Sequence, residues 1–135
     1  MTPNFTYEEL TRTDHRELLN VPDAAAIKNL DKLALFLEEV RALIGRPIII
    51  NSAYRSPEVN KSVGGAPTSQ HVKGQAADFR VIGMTPDQIT RLLHKSKLPY
   101  DQLIREFDSW THISIADKPR KMALIIDRKG VRQFV

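Results

Sequence analysis

Between Asp23 and Ile44, apolar residues fall at Ile27, Leu30, Leu33, Leu37, Val40 and Ile44, the spacing of one face of a helix. Asp23 is placed to cap its start, and Gly45 stands just past its end. A shorter helix is predicted over Tyr7–Leu10, opened by Thr6. The run Pro47-Ile48-Ile49-Ile50-Asn51 is short, apolar and rich in β-branched residues, which predicts a buried strand. Pro57–Ser62 predicts a helical turn, and Gly64, Gly65 and Pro67 mark a loop. Ala76–Val81 follows as a strand, and Thr85-Pro86-Asp87 opens an amphipathic helix to about Lys95, with proline at its first turn. Three strands are predicted last, over Asp101–Phe107, Trp110–Ile115 and Met122–Asp127, the first two joined as a hairpin around Asp108 and Ser109. Helices early and strands late predict an α+β fold: an antiparallel β-sheet packed against helices, as a single small domain over residues 1–135.

Composition narrows the chemistry. The chain has 135 residues, 41% hydrophobic and 27% charged, enough for one core without covalent staples. It contains no cysteine, which excludes disulfides and thiolate metal ligands. The start, MTPNFTYEEL, lacks a basic segment followed by an apolar one, so no signal peptide is expected. No apolar run is long enough for membrane insertion. A net charge of +4 favours a polyanionic partner, but the basic residues are scattered. Their one dense group is Lys118–Lys121, with Arg128, Lys129 and Arg132 beyond, and this predicts a solvated basic face, with a weak wall-anchoring surface as the alternative, rather than specific nucleic-acid binding.

Three segments carry candidate chemistry. In Ser69-Gln70-His71-Val72-Lys73-Gly74-Gln75-Ala76-Ala77-Asp78 a loop imidazole precedes a carboxylate at the start of a strand. In Trp110-Thr111-His112-Ile113-Ser114 a histidine interrupts an apolar strand. Ser52-Ala53-Tyr54-Arg55-Ser56 follows the buried strand. Two imidazoles and a carboxylate, with one position left open, match the donor set of catalytic zinc. Taken singly, each has a plainer role: a strand histidine is more often hydrogen-bonded structure, Asp78 could pair with Arg80, and His71 could be merely exposed. His15 and His94 have no such company and are expected to be structural.

Together, S-x-H-x-x-G-x-A-x-D, a later W-x-H and the upstream S-A-Y-R-S resemble the M15 family of zinc peptidases, over about Phe5 to Ile115. That family includes D-alanyl-D-alanine carboxypeptidases, dipeptidases and phage endolysins. The resemblance implies a zinc ion (Zn2+) on the sheet, held by His71, Asp78 and His112. It further implies that Arg55 binds a substrate carboxylate and that Ser69 hydrogen-bonds substrate. The implied partner is a peptidoglycan stem peptide, cut at D-Ala-D-Ala or at L-Ala-D-Glu by a monomeric enzyme. Made without a signal, such an enzyme is expected to reach the wall through phage-type release or in a virion.

The general base departs from the family pattern. Many members carry a carboxylate three residues before the last histidine ligand, where this chain has Ser109. Glu106 and Asp108 are the nearby acids, with Glu106 preferred. A three-residue loop over 108–110 would set Glu106 directly across from His112, whereas an even-numbered loop would turn it to the other face. The alternative is a non-catalytic zinc-containing virion or cell-wall-binding module of the same fold.

Overall fold

Each helix starts where a side chain can satisfy the first free backbone N–H groups. In the computed structural model, which describes residues 1–134, helix α1 is Tyr7–Thr11 and helix α2 is Ala24–Ile44. Thr6 caps α1, and Asp23 caps α2 by accepting from Ala26 N at 2.8 Å. Gly45 closes α2 in the left-handed conformation (φ 76°), its N–H on the Arg41 carbonyl. Strand β1 is Ile49–Ser52, followed by helix α3 at Pro57–Ser62, strand β2 at Ala76–Arg80 and helix α4 at Pro86–His94. Thr85 and Gln88 form a reciprocal capping box at the start of α4. Strands β3 (Gln102–Glu106), β4 (Trp110–Ser114), β5 (Met122–Asp127) and β6 (Gly130–Gln133) complete the chain.

The six strands form one sheet in the order β1-β2-β4-β3-β5-β6. Every pairing is antiparallel except β3 with β5, where the chain crosses back after β4 and runs beside β3 in the same direction. The predicted α+β architecture is therefore present, with one parallel pair in the sheet. Strand β6 has no counterpart in the hydrophobic pattern, because all four of its residues are exposed and nothing alternates.

The alternation of side chains splits the sheet into two faces. Ile50, Phe79, Leu103 and Ile113 point to one side and join Leu30, Leu33, Leu37 and Val40 of α2 and Ile89 and Leu93 of α4 in a single apolar core. Asp78, Ile104, Glu106, Trp110 and His112 occupy the opposite side. The first turn of α2 departs from the predicted stripe: Ile27 is exposed, and Ala26 takes the buried position. The Gly74 loop sits against that turn so closely that a Cβ on Gly74 would lie 2.7 Å from the Ala26 carbonyl oxygen. Asn29 Nδ2 donates to the Lys73 carbonyl at 2.9 Å, a second tie between α2 and the same loop.

Candidate metal centre and active-site cleft

His71 reaches the sheet from the loop between α3 and β2. Its backbone carbonyl accepts from Arg55 N at 3.0 Å, and Gly74, at φ +75°, turns the chain from His71 into β2. Asp78 and His112 are register partners on β2 and β4, so their side chains leave the sheet together. Ala76 and Ala77 are fully buried beside them, which lets that edge of β2 pack closely. The result brings together the three residues expected as ligands, all buried, with one potential donor atom from each lying within 4.8 Å of the others. His71 Nε2 is 3.3 Å and His112 Nδ1 2.9 Å from the same oxygen, Asp78 Oδ1.

The protonation pattern tests whether a cation fits. His71 Nδ1 lies 2.7 Å from the Ala53 carbonyl, which can only accept, so Nδ1 carries the proton. In the neutral ring Nε2 then points a lone pair at the carboxylate oxygen, a repulsive arrangement that a metal ion between them makes favourable. Donors about 2.0–2.1 Å from a tetrahedral zinc lie roughly 3.3 Å apart, which matches the 3.3 Å between His71 and Asp78 and exceeds the 2.9 Å between His112 and Asp78. A ligand histidine whose other nitrogen donates to a backbone carbonyl is also the usual outer-shell arrangement. The donor set fits zinc. Burial pushes the Asp78 carboxyl up, but the neighbouring imidazoles, His112 before His71, outweigh it and hold the group well below the ordinary range.

Glu106 stands beside this cluster, with Oε1 4.0 Å from His112 Nδ1. The hairpin loop is Phe107-Asp108-Ser109, one residue earlier than the expected 108–110. Glu106 therefore pairs with Trp110, and His112 faces Ile104 instead. The loop is still odd-numbered, so Glu106 and His112 share a face as diagonal neighbours. Burial first, then the negative charge of Asp78, raise the Glu106 carboxyl above its usual range, against the opposing influence of His112, Arg55 and Trp110. Asp108, the other acid weighed as a base, is in the turn at φ 51°, 68% exposed, and paired with Arg105 Nε at 3.0 Å. It is not among the residues lining the cleft. Ser109 is exposed, its hydroxyl on the Phe107 carbonyl.

Arg55 is held from three sides: Nε donates to Ser52 Oγ at 3.2 Å, Nη1 to Asn60 Oδ1 at 3.2 Å and Nη2 to Asp78 Oδ2 at 3.3 Å. Three of its five N–H groups are thus used, and two remain for a ligand. Ser69 Oγ accepts from His71 N at 3.2 Å and lines the same cleft. That cleft, about 1050 Å³, also exposes Trp110 and Arg120. Sequence spacing did not point to Asn60 or Ser52 as supports for Arg55. It also missed the group that Gln70 and Arg120 form around the buried Asp101, whose members are far apart in the chain. His15 contacts Glu17, and His94 is within hydrogen-bonding distance of the Tyr100 hydroxyl at 3.2 Å; neither joins the metal cluster.

A small α+β domain with a His-Asp-His cluster on a sheet face and a carboxylate beside it has the layout of a zinc peptidase. The chain belongs to the Peptidase M15 family, whose model matches residues 3–114. It is 36% identical over 78 residues to a zinc D-Ala-D-Ala carboxypeptidase of Streptomyces albus G, a stretch covering 56% of this chain and 31% of that protein. The matched stretch thus spans about a third of the relative's length.

Proposed function

We propose that this protein is a zinc-dependent peptidase that hydrolyses a bond next to a carboxylate in the stem peptides of bacterial peptidoglycan. The observation that carries this reading is the convergence of His71, Asp78 and His112 in an open cleft with Glu106 at their edge and Arg55 behind them. When bound, zinc supplies Lewis-acid polarisation of the scissile carbonyl and acidifies water at the site. Glu106 Oε1 accepts the proton of the attacking water and delivers it to the leaving amine. Its partly buried position beside Asp78 favours that exchange, because it keeps the carboxyl's proton affinity above that of an exposed glutamate. Arg55 turns its two remaining N–H groups to a substrate carboxylate, and its three protein bonds keep the guanidinium in place. Ser69 offers a hydroxyl to the substrate backbone. The position of Glu106 supports catalysis over the non-catalytic module that Ser109 alone would suggest.

The related carboxypeptidase from Streptomyces albus G supports D-Ala-D-Ala as the scissile bond. The L-Ala-D-Glu bond, whose D-Glu also brings a carboxylate to the cut, is the second substrate to test. A lytic role in phage or prophage release, with action on the wall after such release, rests on the family's phage members alone.

Digestion of purified peptidoglycan by the zinc-loaded protein, with a chelated control, tests the proposal. Chelator-sensitive release of D-alanine identifies the carboxypeptidase, and release of stem peptides beginning at D-Glu identifies the endopeptidase. No cleavage by protein carrying one zinc per chain overturns the peptidase reading.

A further inference from the structure

Arg120 lies outside the family match and outside the three segments with candidate chemistry, yet it lines the same cleft as the metal cluster. Its orientation is set by Asp101, a carboxylate only 2% exposed. Arg120 Nε donates to Asp101 Oδ1 at 2.9 Å and Nη2 to Oδ2 at 2.7 Å, a side-on fork; the Arg120 backbone N–H adds a third bond at 3.0 Å. Gln70, next to the ligand His71, donates from Nε2 to the same Oδ2 at 2.9 Å and to the Ile115 carbonyl at 3.2 Å. This pairing uses Nε and one hydrogen of Nη2. The opposite edge of the guanidinium, Nη1 with the second Nη2 hydrogen, is left free among the described residues, and the side chain is 52% exposed.

The sheet order places this edge relative to the metal cluster. Arg55 follows β1 and bonds Asp78 on β2, whereas Arg120 precedes β5 and bonds the residue leading into β3. The β2–β4 pair carrying Asp78 and His112 lies between them. Asp101 comes three residues before Ile104, the partner of His112, a separation of about 10 Å at roughly 3.3 Å per residue. An extended peptide crossing the cluster from Arg55 therefore reaches Arg120 about three residues from the cut bond.

We propose that Arg120 is a specificity-determining residue that binds a second carboxylate of the substrate, on the far side of the cluster from Arg55, with Asp101 and Gln70 as its positioning residues. This rests on the peptidase reading and names the substrate more closely: a peptide with one carboxylate at the cut and another about three residues away. In a stem peptide cut at D-Ala-D-Ala, the α-carboxylate of D-Glu occupies that place.

The test uses two stem pentapeptides that differ only in whether that α-carboxylate is free or amidated, with wild-type protein, Arg120→Lys and Arg120→Gln. Wild type is expected to favour the free carboxylate by roughly tenfold or more in kcat/KM, chiefly through KM. Arg120→Lys, which keeps the charge but loses the fork, is expected to shrink that ratio to threefold or less, about, and Arg120→Gln to abolish it. Loss of both substrates in equal proportion would show a purely structural role and overturn the proposal. So would a ratio near one in wild type. Calorimetric titration of the same peptides reads the preference without turnover. Binding that depends on residue 120 in a protein that cleaves neither peptide would overturn the peptidase reading but support the second-carboxylate site.

Discussion

Two aspartates are buried on this sheet, and their surroundings differ in one chemical respect. Asp101 faces committed donors: an arginine fork, a backbone N–H and a glutamine amide, four hydrogen bonds that need nothing further. Asp78 faces two imidazoles through one oxygen and Arg55 through the other. The proton on His71 Nδ1 is already given to Ala53, so a neutral His71 brings a lone pair to that oxygen, not a hydrogen. A buried carboxylate is therefore not itself a sign of metal. The sign is a carboxylate oxygen that meets an imidazole lone pair, as Asp78 Oδ1 meets His71 Nε2, where a hydrogen-bond donor would otherwise stand. On the proposed reading the contrast also divides labour across the cleft, with chemistry at Asp78 and positioning at Asp101.

The largest effect that would break this comparison comes from the ligands. His71→Ala, Asp78→Ala and His112→Ala are each expected to lose zinc and turnover together, by well over about a hundredfold, since outer-shell partners alone are worth about 10–100-fold. Stoichiometric zinc retained by all three, measured by elemental analysis, would remove the distinction between the two aspartates. Glu106→Gln is expected to keep zinc and the fold but to lower kcat by about 10²–10⁴. An unchanged kcat would move the proton transfer elsewhere.

Asp101→Asn sharpens the other side. It should leave zinc stoichiometry intact and lower stability by about 1–3 kcal/mol in urea unfolding, because a charge-assisted fork becomes a neutral contact. The Arg120 guanidinium, chiefly, holds the Asp101 carboxyl down to about 2, aided by its backbone N–H and by Gln70. A carboxyl lowered in the folded state stabilises the protein above its unfolded value near ~3.9, and that contribution fades as pH falls toward 2. Wild type is thus expected to lose more stability than Asp101→Asn between pH 6 and pH 3. Equal losses would show that the pair carries no acid-sensitive stability. The smallest effect is expected from Asp108→Ala: within about 0.5 kcal/mol in stability and less than about twofold in kcat, since its carboxylate is exposed and outside the cleft.

The strands and helices were legible wherever one face is buried. Leu30, Leu33, Leu37 and Val40 declare α2, and Thr85-Pro86 with Gln88 declares the start of α4, because capping and burial act over three or four residues. Strand β6 was hidden because it is paired through its backbone at an exposed edge, where side chains carry no alternation. The parallel β3–β5 pairing was hidden for a related reason: backbone pairing direction leaves no mark on side-chain pattern. The His71, Asp78 and His112 cluster was legible as a motif, since the residue types and spacing match a known family. The hairpin register was misplaced by one residue, yet Glu106 still shares a face with His112 because the loop length stayed odd.

By itself, then, the amino-acid sequence determined the α+β class, the cysteine-free chemistry and the three donors available to a metal. Those follow from local periodicity and from residue type, which need no knowledge of distant contacts. Only the tertiary structure decided that Glu106 stands 4.0 Å from His112 while Asp108 turns away, and that Ala53 orients His71. It alone joined Gln70, Asp101 and Arg120 into one network at the rim of the cleft. Such relations depend on strand register and loop closure, which the whole core sets by packing one face of the sheet against α2 and α4.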